Sequence, residues 1–118
     1  MNRVLIIIPC VGKDIDNLVH EEMVQKCITA IENHTNEKEY EIFLGINDFE
    51  SFAYGVNLGL RDFLHLPYYK SFSGVVICTD DMILNKEGWL NDFIEKAKGK
   101  IGIVCQKSQW REWFIPMG

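Results

Sequence analysis

No apolar run in this sequence approaches the ~20 residues that a membrane-crossing helix requires. The run Val4 to Pro9 is closed by Pro9 and Gly12 and followed by Lys13 and Asp14, a pattern that argues against an export signal and for a buried strand. Positive charge is scarce, with 12 Lys and Arg against 17 Asp and Glu, a formal charge of −5 and a pI near 5.1. Such a chain releases few counterions from a phosphate polymer, so duplex nucleic acid is not an expected partner. Small anions stay open, because a local site can outweigh net charge. No two of Cys10, Cys27, Cys78 and Cys105 stand at CxxC spacing, and most sit in or beside apolar runs, so reduced, buried thiols in a cytoplasmic protein are expected. His20, His34 and His65 lie in no HxxxH or GxSxG context, and neither GxxxxGK[ST] nor a GxGxxG after the first strand occurs. Hydrolase triads, P-loops and conventional dinucleotide sites are therefore not supported.

What is present reads as one globular domain over residues 1–118. The size rule buries roughly two-thirds of the extended chain's surface, and no Pro/Gly/Ser tract, charge block or repeat marks a linker. Arg3 to Pro9, Glu41 to Asn47, Gly74 to Thr79 and Ile101 to Cys105 read as strands; the first, third and fourth are continuous apolar runs of the kind found in sheets covered on both faces. Between them, Asn17 to Asn33 carries Val19, Met23, Cys27, Ala30 and Ile31 at helical spacing, with Asp16 or Asn17 placed to cap it. Ser51 opens a second helix with Phe52, Val56, Leu60, Phe63 and Leu64 on one face, and Gly88 to Lys98 is a third. The alternation predicts an α/β fold of three layers, α/β/α, around a mostly parallel sheet with right-handed crossovers.

In open sheets of this type ligands bind beyond the carboxyl ends of the strands. The residues there are Pro9 to Lys13, Asn47-Asp48, Asp80-Asp81 and Gln106 to Ser108. Adjacent acids after a hydrophobic strand are hard oxygen donors suited to Mg²⁺ or Mn²⁺, which bind through one or two carboxylates plus substrate phosphates. A turn-initiating role for Asp80 or Asp81 fits the residue type equally well. Gly55 and Gly59 inside a helix imply that something comes close, either a ligand or the sheet beneath.

The ordered series VLIIIP at 4–9, FLGIND at 43–48, AYGVNLGL at 53–60, GVVICTDDMIL at 74–84 and GWL at 88–90 resembles the N-terminal, nucleotide-sugar-binding half of glycosyltransferase family 2, a GT-A fold. That resemblance implies a truncated GT-A domain that binds a nucleotide-diphosphate sugar through Mn²⁺ or Mg²⁺ and transfers the sugar to an unknown acceptor with inversion. It places Thr79-Asp80-Asp81 on the family's DxD-like motif, with Asp81 as the metal ligand that serves catalysis and Asp80 toward the ribose or sugar and as the second metal-site residue. It lays Pro9, Cys10 and Val11 along the nucleoside, sets Asp48 or Asn47 against the base, and puts Asn57 and Gly59 beneath the diphosphate. The family's basic residue before that Asn is absent, which leaves the diphosphate charge to the metal, with Lys13 or Arg61 as helpers.

Inverting transfer also needs a general base, which the family draws from a C-terminal half that this sequence does not show. Glu112, within Gln109-Trp110-Arg111-Glu112-Trp113, is the one carboxylate after the fourth strand and the candidate. Trp110, Trp113 and Phe114 form an apolar group expected to pack on the sheet or to join two copies of the chain, with sugar stacking as the other use. The alternative to an enzyme is a non-catalytic nucleotide-sugar-binding or assembly module that lacks the acceptor half.

Overall fold

A computed structural model describes residues 3–35, 40–49, 51–67, 72–80, 87–97, 104–105 and 113–116. The elements in chain order are β1 Arg3–Val11, α1 Glu21–His34, β2 Tyr40–Asn47, α2 Phe52–Leu64, β3 Phe72–Ile77, α3 Trp89–Ala97, β4 Val104–Cys105 and β5 Trp113–Pro116. They build an α/β fold around a five-stranded sheet of order β2-β1-β3-β5-β4. Strand β1 is central and parallel to both β2 and β3, while β5 runs antiparallel to β3 and to β4. Asp81, Gln106 to Ser108, Trp110 and Glu112 lie outside the described residues.

Period-two alternation along β1 sorts its side chains between two cores. Val4, Ile6, Ile8 and Cys10 join Val24, Cys27, Ala30 and Ile31 of α1 and Trp89, Leu90 and Ile94 of α3 on one face. Leu5 and Ile7 join Val56 and Phe63 of α2, with Phe72, Val75 and Ile77 of β3, on the other. Helices therefore cover both faces, as the continuous apolar strands require. Trp89 crosses the first core with its ring and donates Nε1–H to the buried Thr35 hydroxyl at 2.8 Å, so neither buried polar atom is left without a partner.

Two expectations need correction. Helix α1 begins at Glu21, and neither Asp16 nor Asn17 caps it. Instead the Asp14 carboxylate accepts from Asp16 N and Asn17 Nδ2 at 2.9 and 2.8 Å, and the loop folds back so that Val19 N donates to Val11 O. The helix consequently buries Val24 and leaves Val19 and Met23 exposed. Second, the chain adds a strand between the third and fourth that periodicity did not reveal, because Trp113–Pro116 is too short for an alternation to be read. Strand β5 is paired on both sides, with β3 and with β4.

No described helix is long and apolar enough to cross a membrane.

Candidate functional site

The path of the chain through the sheet creates the site. From β1 the chain passes through α1 on one face to β2; it then returns through α2 on the opposite face to β3, on the other side of β1. The order reverses between β1 and β3, which is the topological switch point where open α/β sheets form their ligand crevice. Pro9 reinforces it. The β1–β3 register stops at Ile7–Ile77, with Cys78 N donating to Ile7 O at 2.9 Å, and proline has no N–H with which to continue a ladder. The β1–β2 register runs on to Val11–Asn47.

This edge brings together Pro9, Cys10 and Val11 at the end of β1, Asn47 and Asp48 at the end of β2, and Thr79 and Asp80 beyond β3. Asp80 is half-buried in the turn that follows β3, and Asp48 is exposed. The Cys10 thiol is pushed up to about 12, first by burial, then by the negative charge of Asp80 and by Cys27. It therefore stays protonated at neutral pH and donates to Ile8 O at 3.2 Å. Cys27 donates weakly to Thr79 O at 3.7 Å, tying the segment before Asp80 to α1. Cys10, Cys27 and Cys78 are buried free thiols, matching the expectation for these three.

Two consequences of that burial are measurable. In the folded protein Cys10, Cys27 and Cys78 should resist thiol reagents at pH 8 and react only on unfolding, a contrast readable by labelling with and without denaturant. Because the folded Cys10 holds its proton to a higher pH than the unfolded thiol, whose ordinary value is about 8.5, the unfolded state alone loses a proton as pH rises. Stability should therefore fall between about pH 9 and 12, by up to about 1.4 kcal/mol per pH unit from this thiol, and Cys10→Ala should flatten the slope. An unchanged slope in denaturant titrations of the variant would contradict this.

Asn47 is occupied by the fold. It is 7% exposed; its Nδ2 donates to Ser51 O at 3.2 Å and to Gly45 O at 3.4 Å, and its Oδ1 accepts from Phe49 N at 3.2 Å and Ser51 N at 3.3 Å. The side chain therefore clamps the β2–α2 connection, which leaves Asp48 as the member of the pair that faces outward. Ser51 caps α2 by accepting from Tyr54 N at 3.1 Å, as its position before the helix implies.

The remaining assignments do not join the edge. Gly59 lies over Ile7, where an added Cβ would come within 2.8 Å of Cδ1, so the sheet and no ligand explains this glycine. Gly55 meets Gly45 and Pro9 in the same way. Asn57 is exposed, about 200° around the helix from Gly59 at 100° per residue, so the two cannot line one ligand. Arg61 sits in the last turn of α2, beside Asp62 at 3.6 Å; that end points away from the carboxyl edge, because α2 starts there. Lys13 is exposed in the loop after β1. Sequence reasoning missed the Gly45–Gly55 contact and the exposed aromatic rings of Phe49 and Tyr54, which stack edge to face with centroids 5.2 Å apart. The signal for the first was two glycines in neighbouring elements of one β-α unit.

Among the described residues no group of three or more His, Cys, Asp or Glu side chains could hold a metal. Asp80 is, among the described residues, the carboxylate beyond β3, a hard oxygen donor of the kind Mg²⁺ and Mn²⁺ take, and such ions need one or two protein ligands when phosphates and water supply the rest. Comparison with family models, with characterised proteins and with solved structures returned no match, so the residues at this edge carry the functional argument alone.

Proposed function

We propose that this chain is a GT-A-like domain of the glycosyltransferase family 2 type, which binds a nucleotide-diphosphate sugar at the switch point and presents it for inverting transfer to an acceptor. The observation that carries the reading is the convergence of Pro9–Val11, Asp48 and Thr79-Asp80 on one sheet edge, at the point where the strand order reverses. Asp81, with Asp80, would hold Mn²⁺ or Mg²⁺. When bound, the ion would neutralise pyrophosphate oxygens and stabilise the departing diphosphate.

The chain's own residues have distinct tasks. Cys10 and Val11, buried or half-buried at the end of β1, give the nucleoside a dry floor. Asp48, exposed beyond the Asn47 clamp, accepts hydrogen bonds from the base. Thr79 is held through its carbonyl by Cys27, which fixes where Asp80 leaves the sheet. Trp113, next in sequence to Glu112, pairs with Ile77 at the carboxyl end of β3; the antiparallel course of β5 therefore starts at the same edge, which supports Glu112 as the base that takes the acceptor's proton.

Calorimetry tests the reading. UDP or GDP should bind with Mn²⁺ or Mg²⁺ and not without, and Asp81→Ala should abolish that binding while leaving thermal unfolding unchanged. Equal affinity in wild type and variant would remove Asp81 from the site.

A further inference from the structure

We infer that Phe49 and Tyr54 form an aromatic platform on which the base of a nucleoside diphosphate stacks, so that the ligand lies across the sheet edge with its base at β2 and its phosphates at β3. This rests on the proposed function, which already sets the base beyond β2 and the diphosphate beyond β3, and adds the aromatic residues that grip the base.

Phe49 is 69% exposed and Tyr54 44%, although both belong to a segment held in place. The Phe49 N–H is bound by the Asn47 carboxamide at 3.2 Å, and the Tyr54 N–H by the Ser51 hydroxyl at 3.1 Å. The rings meet edge to face at an interplanar angle of 64°, and their exposure leaves ring surface open to solvent. Exposed rings on residues whose backbone N–H groups are already bonded locally are suited to a planar ligand, because less ordering is left to do on binding.

The chemistry of the edge is polarised. Its β2 end carries aromatic faces and the hydrogen-bond acceptor Asp48; its β3 end carries Thr79 and Asp80. With β1 between them, the two ends are separated by two strand spacings, about 10 Å. A nucleoside diphosphate is polarised in a complementary sense, with a flat heteroaromatic ring at one end, anionic oxygens at the other that a divalent ion would join to the Asp80 carboxylate, and a ribose between to cross the end of β1.

The test compares calorimetric binding of UDP, GDP and inorganic pyrophosphate, each with Mn²⁺, to the wild type and to Phe49→Ala, Phe49→Trp and Tyr54→Ala. Phe49→Ala should weaken both nucleotides about tenfold or more and leave pyrophosphate unchanged; Phe49→Trp should restore nucleotide affinity. Since the ring is exposed, far-UV circular dichroism should not change. Nucleotide binding that is indifferent to Phe49→Ala and Tyr54→Ala overturns the platform and leaves the metal–diphosphate reading standing. So does a wild type that binds nucleotide no better than pyrophosphate, or an equal loss for both ligands. A wild type that binds none of the three overturns both readings. Dimer dissociation in Phe49→Ala, seen by sedimentation, with nucleotide affinity intact would assign the rings to self-association and overturn the platform as well.

Discussion

Gly45→Ala should destabilise the protein by about 3 kcal/mol, near the upper end for an overpacked core, with a Tm lowered by about 10 °C. A Cβ on Gly45 would run into the Gly55 carbonyl, coming within 2.7 Å of its carbon and 2.9 Å of its Cα. All of these are backbone atoms of α2, so relief requires the helix to lift from the sheet. That movement would also disturb Pro9, whose Cβ sits 2.8 Å from the place a Cβ on Gly55 would take. Gly59→Ala provides the comparison: its contacts are side-chain atoms of Ile7 at 2.8 to 3.0 Å, a fully buried, β-branched residue that is stiff at χ1 but is not the backbone of a second element, so a smaller loss of about 1.5 kcal/mol is expected once the gain of replacing a helical glycine is included. Chemical denaturation of both variants decides the matter. Equal effects would mean that the Gly45–Gly55 approach is not the tight point of the α2–sheet packing.

The second large effect concerns Asn47. Asn47→Ala removes four hydrogen bonds between 3.2 and 3.4 Å from a site 7% exposed. Since the bonds are long, we expect a cost of about 2 kcal/mol, the scale of leaving buried polar backbone groups unpaired. Asn47→Asp is more informative because its cost depends on pH. The carboxylate would keep the acceptor for Phe49 N and Ser51 N but face the Gly45 and Ser51 carbonyls with an oxygen in place of N–H. Burial and those carbonyls disfavour the charged form, so the folded value lies above the unfolded one, about 3.9. With the folded state binding more protons than the unfolded, the variant loses stability as pH rises from about 4 to 7. Asn47→Ala should show no such slope, and parallel denaturant titrations at pH 4.5 and 7 separate the two. If both variants were flat, the amide's donor role would be refuted.

Asn47 also shows where a residue's type misleads when its surroundings are unknown. An Asn-Asp pair after a strand reads as two polar groups offered to a ligand, whereas the fold turns the first inward as a clamp and leaves the second outside. The same holds for the glycines of α2. A glycine-bearing helix suits a bound diphosphate and a closely packed sheet equally well, and the position of Ile7 decides for the sheet. The sequence pattern starts helix α1 one turn early because Asp16 and Asn17 are good caps by type, whereas the return of the loop onto Val11 and the Asp14 carboxylate hold both residues ahead of a helix that begins at Glu21.

The β-α alternation, the central strands, the buried thiols and the acids at the strand ends follow from local pattern, because solvent exclusion from both faces of a parallel strand writes an apolar run and its end writes a polar one. Which ends become neighbours does not follow from any local pattern. The placement of β3 beside β1, the insertion of β5 between β3 and β4, and the face each helix covers depend on contacts between residues far apart in the chain, where the free energy of burying whole surfaces outweighs the preference of any short segment.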